Sequence, residues 1–315
     1  MQLTPAELEA DRAIYQLSLR ANATLTASNY EAERSAFFEG KENPEFVYLR
    51  VEHNSMKLKD RAAKIDIPDT TFGTLLRDKL NETIHFSEFI VATSVQEATL
   101  ASQKIFGTPR RDILALAQQT IDASKDDQAM IRSLKIPAEQ IITVLRQRLL
   151  HYGLDSWDAI QSHEPAQGIA VDSFTKQLQV QRGITDTLES KEMIVTHEVD
   201  THVLCDENAM IQPTYLFANG LAGWLLTQEG LAAYNVTQQH AKDAKRPMFH
   251  WAMRAQAIDW ALRGSFRDVY ERLLALGLDK FYAFATAFKV KRGLPRVDQP
   301  GSYTRDHAYY TGLHR

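Results

Sequence analysis

His197-Glu198-Val199-Asp200-Thr201-His202 is the stretch around which the rest of the chain is read, because it sets two imidazoles and a carboxylate within six residues. The pattern H-E-x-x-x-H is one residue longer than the H-E-x-x-H of most zinc peptidases, where two histidines on one helix face hold the ion and the glutamate is the base. On a regular helix, residues four apart sit about 40° apart around the axis and residues five apart about 140°. A straight helix therefore aims His197 and His202 in divergent directions. Both reach one ion if a π-type bulge falls within Val199-Asp200-Thr201, a distortion that tends to mark functional sites. The sequence predicts that bulge.

A catalytic zinc takes three protein ligands and keeps a fourth position open. Cys205 is the only cysteine, so a thiolate zinc site is excluded and the ligands must be histidines and carboxylates. Glu229, in Gln228-Glu229-Gly230-Leu231-Ala232, is the preferred third ligand. It follows His202 on a segment that reads helical beyond the turn Asn219-Gly220, as the ligand glutamate of thermolysin-like enzymes does. Asp206, four residues after His202, and His240 are the alternatives. One Zn2+ per chain on His197, His202 and Glu229 would polarise a scissile carbonyl and activate water, with Glu198 taking the proton and passing it to the leaving amine. Tyr234, Tyr303, Tyr309, Tyr310, Arg254 and Arg292 are candidate donors to the developing oxyanion. Ala233 stands where thermolysin-like sites carry an aspartate that supports a histidine, and Asn208 and Asn235 are candidates for that support.

Outward from the motif, Ile169 to Val171 and Gln177 to Val180 read as short strands, the second alternating polar and apolar residues. An edge strand beside the metal helix would hold an extended peptide by main-chain hydrogen bonds. Helices are predicted over Ile194 to Asp206, Tyr215 to Tyr234, Phe249 to Arg263 and Ser265 to Leu276, the last two parted by Gly264. Upstream, Thr4-Pro5-Ala6-Glu7 opens a helix with a capping box and proline at its first position. Phe46 to Val51 reads as a strand, and Asp112 to Ala123 and Ala138 to Tyr152 as helices. The expected class is α+β and mainly helical, with a small sheet. A helical N-terminal part over 1–165 and a metallopeptidase core over 166–315 would form one compact unit.

With 44% apolar and 24% charged residues the chain has material for a large core, and a net charge of −4 argues against a general nucleic-acid binder. Between Lys242 and Arg296, however, twelve basic residues face five acidic ones. That excess is either a set of solvated helix faces or a groove that attracts an acidic partner. No secretory signal opens the sequence and no run approaches a membrane span, so a cytoplasmic protein without membrane contact is expected.

Thr196 to Leu204, Asn208, Gln212-Pro213, Thr227 to Ala232 and Tyr303-Thr304-Arg305-Asp306, with Tyr309 and Gly312 beyond, resemble the QEGLA-motif family, which includes the microtubule-associated tyrosine carboxypeptidases that remove the C-terminal tyrosine of α-tubulin. The likeness runs from the first helix to the end of the chain. Ala209 replaces an expected glycine, and Tyr303-Thr304-Arg305-Asp306 stands in for Phe-Thr-Lys-Asp. The resemblance implies a gluzincin-like zinc metallocarboxypeptidase with His197, His202 and Glu229 as ligands and Glu198 as base, releasing tyrosine or another aromatic residue.

A carboxypeptidase must bind a terminal carboxylate, normally through a bidentate arginine or a placed lysine. Arg254, Arg263 and Arg292 are available for it, and Arg254, Arg292, Tyr303 and Tyr309 are the expected substrate contacts. The basic stretch would then favour an acidic peptide or protein tail. Two other functions compete: a non-catalytic regulatory or binding protein with a structural metal site, and a hydrolase of non-peptide amides.

Overall fold

The computed structural model describes residues 3–21, 25–48, 55–124, 134–162, 168–187 and 189–315. Helix dominates. The N-terminal helices are α1 (Pro5–Ala21), α2 (Tyr30–Phe38), α3 (Ser55–Ala62), α4 (Thr71–Val91), α5 (Val95–Phe106) and α6 (Arg111–Asp122). The Thr4–Glu7 box closes at the start of α1, where the Thr4 amide donates to Glu7 Oε2 at 2.8 Å. Thr70 caps α4, and a Ser94–Glu97 capping box starts α5. Each such cap stabilises its helix by about 1 kcal/mol.

The sheet region follows as β1 (Leu134–Pro137), α7 (Ala138–His151), β2 (Asp158–Ser162), β3 (Ile169–Asp172), β4 (Gln177–Gln181) and β5 (Ile184–Thr187). β4 is central, parallel to β2 and antiparallel to β3, while β1 pairs with β5 in a separate ribbon. Leu178 and Val180 alternate inward along β4, as its sequence predicted, and pack on Ile141, Leu145 and Leu149 of α7. The class is α+β, with strand β2 supplied from before residue 165 and β3 and β4 from after it.

Beyond the sheet run α8 (Lys191–His197), a π-helical turn (Glu198–Val203), α9 (Leu204–Met210), α10 (Tyr215–Asn219), α11 (Trp224–Gln239), α12 (Lys245–Ala261), α13 (Phe266–Ala275), α14 (Lys280–Lys291), a 3-10 turn (Thr304–His307) and α15 (Ala308–Leu313). The helix expected over Tyr215 to Tyr234 is thus two helices. Gly220 and Gly223 between them adopt φ of 73° and 72°, a left-handed conformation that breaks a helix and suits glycine. The strand expected over Phe46 to Val51 is, in its described part, a single bridge from Tyr48 to Ala27; residues 49–51 lie outside the described residues. No described helix is long and apolar enough to cross a membrane.

Helix α12 is the central pillar. Trp251, Met253 and Ile258 share it with Ala252, Ala255, Ala257 and Ala261, whose small side chains let α6, α13, α14 and α15 pack closely around it. Helix α8 and the π turn after it stand between two cores: Met193 packs into the α12 cluster, while Ile194, Val195, Val199 and Val203 pack against the sheet.

Lys291, at the end of α14, is fully buried and donates to the carbonyls of Ala261, Gly264 and Gln299 at 3.0, 2.6 and 2.7 Å. It ties α12 and α14 to the loop that leads into Tyr303-Thr304-Arg305-Asp306. Replacing it with methionine keeps the length but strands buried acceptors, each at about 1–3 kcal/mol, partly offset by relief of the buried charge. Lys291→Met is therefore expected to lower unfolding free energy by about 2–4 kcal/mol, read by urea titration; an unchanged midpoint refutes that role.

Candidate metal centre

Helix α8 starts at Ser190, whose hydroxyl accepts from the Met193 amide, and would carry His197 and His202 apart if it continued regularly. Instead the backbone widens into the π turn at Glu198–Val203. The extra residue leaves the Thr196 carbonyl to be satisfied by the Thr201 hydroxyl five residues on, at 2.9 Å, and Asn235 on α11 donates back to that hydroxyl at 3.0 Å. On the outer side Asp200 meets Arg148 at 3.5 Å. The wider turn brings His202 beneath His197, with ring centroids 4.9 Å apart. The sequence required a bulge here for the two histidines to meet, and the backbone has one.

Glu229 enters from α11. Its Oε2 lies 3.4 Å from His197 Nε2 and 3.5 Å from His202 Nε2, and one ligand atom from each of the three residues falls within 4.8 Å of the others. Zinc bonds of about 2.0–2.2 Å at tetrahedral angles put neighbouring ligand atoms about 3.3–3.6 Å apart. The residues fit a metal on a second count also: Glu229 Oε2 is buried and has no hydrogen-bond partner among the described residues, a condition that costs free energy unless something binds it.

Two flanking groups orient the set. Arg305 donates to the other glutamate oxygen, Oε1, at 3.2 Å, leaving Oε2 directed at the histidines. Glu189 Oε1 stands 3.7 Å from His197 Nδ1, in the position of the carboxylates that support metal-bound histidines. Burial opposes charge on both sides of the cluster, but Glu189, Glu229 and Glu198 outweigh it and raise the His197 pKa to about 9. Burial likewise opposes ionisation of Glu229, and the two histidines with Arg305 overcome it and hold the carboxyl well below its ordinary value. A cation is what this concentration of carboxylates calls for. Arg305→Leu frees Glu229 to rotate and is expected to weaken zinc affinity about 10–100-fold, measured by competition with a chromophoric chelator; unchanged affinity would show that Arg305 does not orient the ligand.

Glu198 and His197 open onto a pocket that also receives Glu189, Arg254, Lys289 and Tyr309. Burial raises the Glu198 carboxyl above its ordinary value, with His197 and His202 pulling the other way. Gly168 and Ile169 at β3, an edge strand, and Gln181 of β4 form a wall of the same pocket.

The other expected residues divide. Arg254 and Tyr309 line the pocket: the Tyr309 ring lies 5.8 Å from the His197 ring and 5.2 Å from the Arg254 guanidinium. Arg292 sits on the far side of Asp306 and over the ring of Tyr303, which is buried against Phe89 and Phe106 away from the pocket. Asp206 is hydrogen-bonded to Ser173 and His240 to Thr196; neither joins the cluster. Tyr310 binds Thr120, Tyr234 is exposed, and Arg263 pairs with Asp259. Asn235 holds Thr201, so its support reaches the turn and not a histidine ring. Glu189, Arg305 and Lys289 were missed. Arg305 lay inside a quoted motif, but no spacing rule separates it from a surface arginine.

The family model described as microtubule-associated tyrosine carboxypeptidase matches residues 35–315. Mouse microtubule-associated tyrosine carboxypeptidase 1 is 28% identical over 130 residues, 39% of this chain and 27% of the mouse protein. The matched stretch thus spans about a quarter of that relative's length.

Proposed function

We propose that this chain, which belongs to the microtubule-associated tyrosine carboxypeptidase family, is a zinc-dependent carboxypeptidase of gluzincin-like design that releases a tyrosine or another aromatic residue from an acidic peptide or protein tail. The observation that carries this reading is the convergence of His197 Nε2, His202 Nε2 and Glu229 Oε2 beside a pocket that Glu198 also faces. His197, His202 and Glu229 would hold the ion, which when bound supplies Lewis-acid polarisation of the scissile carbonyl and a more acidic water. Glu198 takes the proton from that water and delivers it to the leaving amine. The Tyr309 phenol, beside His197, donates to the oxygen on which negative charge develops. Arg254 draws the substrate terminus inward, and the free edge of β3 offers backbone groups to the extended chain ahead of the scissile bond.

Incubating the zinc-loaded chain with peptides that vary only in the last residue tests this. Release of single C-terminal residues, aromatic ones first, with loss of release on chelation and recovery on zinc addition, is the expected result. Internal cleavage would remove the exopeptidase assignment, and stable zinc binding without release would favour a binding protein.

A further inference from the structure

Several of the twelve basic residues between Lys242 and Arg296 have a local purpose. Arg263 pairs with Asp259, Arg267 binds the carbonyls of Lys41 and Glu42, Arg296 pairs with Asp298, and Lys291 is spent on three carbonyls. Arg254 and Lys289 differ from these. They come from different helices, α12 and α14, and line the same pocket as His197 and Glu198. Lys289 has no hydrogen bond or ion pair among the described residues. The Arg254 Nε is buried without an acceptor, and its nearest carboxylate, Asp306, lies 3.7 Å from NH1 while standing equally far from Arg292. Arg254 and Arg292 thus share one buried aspartate, whose charge Lys289 feels without an ion pair to it, Arg305 being engaged with Glu229. The pocket's own carboxylates, Glu189 and Glu198, flank the metal cluster. Tyr282 and His250, hydrogen-bonded to each other at 2.6 Å, complete the wall, and burial holds His250 neutral.

We propose that Lys289 and Arg254 together bind the free α-carboxylate of the residue to be released, which makes Lys289 a determinant of exopeptidase action; this rests on the carboxypeptidase reading above. Tyr309 lies against both groups, its ring 5.8 Å from the His197 ring and 5.2 Å from the Arg254 guanidinium, so the two cations and the metal cluster face one pocket. Burial, then the charge of Arg254, lowers the Lys289 pKa to about 7, with Asp306 acting against them and Arg292 and Arg305 with them. An incoming carboxylate reverses that, so the lysine becomes fully charged only with its partner in place.

The test uses the zinc-loaded chain carrying Glu198→Gln, so that binding is read without turnover. An acetylated acidic hexapeptide ending in tyrosine is titrated calorimetrically as the free acid and as the amide. The acid is expected to bind at least about 30-fold more tightly. In Glu198→Gln/Lys289→Met the gap should fall below about threefold, while Glu198→Gln/Lys289→Arg should retain most of it. A gap that survives Lys289→Met, or no gap in the parent, overturns the proposal. Tyrosine release by the wild-type chain, followed in parallel, reports separately on the hydrolytic reading: turnover without a gap sinks only the carboxylate subsite, and a gap without turnover sinks only hydrolysis.

Discussion

Glu198→Gln is expected to leave one zinc per chain in place and to lower kcat about 10²–10⁴-fold, the usual contribution of a positioned acid–base group. The substitution preserves volume and removes a carboxyl whose burial already disfavours its charge, so the fold and the three converging atoms should persist. What is lost is the ability to accept a proton and return it to the leaving amine, since an amide oxygen is a poor base. Metal content by plasma mass spectrometry and steady-state kinetics on one preparation separate the two effects. Unchanged turnover would remove Glu198 from the mechanism, and loss of zinc together with activity would make it a structural residue.

The second large effect is expected at a residue that makes no polar contact with the site. Helices α11 and α15 cross at Gly230 and Gly312, so closely that a Cβ on Gly312 would run into the Leu226 carbonyl oxygen and lie 2.7 Å from Gly230 Cα. These obstacles are backbone and cannot rotate away. Gly312→Ala must therefore push α15 off α11, at about 3 kcal/mol, the upper end for overpacking. A fall in Tm of about 4–6 °C follows. Glu229 directly precedes Gly230, and Arg305 and Tyr309 lie just upstream of Gly312, so zinc affinity should fall with stability. Thermal unfolding with and without zinc measures both; a Tm within a degree of wild type would show that the crossing can open at no cost.

The site was legible where residue spacing carries geometric information. An H-E motif whose histidines stand five positions apart has few ways to meet one ion, so the π turn followed from sequence, as did the choice of Glu229 over Asp206. Orientation was not legible. Whether Arg254 faces the pocket depends on how α12 turns between its neighbours, and α12 is buried nearly all round, leaving no polar stripe to phase it. Helix α14 went unread for the same reason: Tyr282, Phe284, Ala287, Phe288 and Val290 bury different sides of it, so no 3.6-residue period marks it. That concealed Lys289. Strand β2 was also missed. Its residues Asp158, Ile160 and Gln161 mix polar and apolar types, and its partner strand lies beyond residues 163–167 in the chain.

The bond from Arg305 to Glu229 also has a bearing on biosynthesis. The two residues are 76 positions apart in sequence, and a ribosome adding about 5–20 residues per second needs roughly 4–15 s to cover that distance. Throughout that interval His197, His202 and Glu229 already exist while the arginine that aims the carboxylate, and the glycine crossing that seats its helix, do not. On the proposed metal reading, the nascent chain would therefore be a weaker chelator until Arg305 is made, and tight metal capture would wait for α15 to dock on α11.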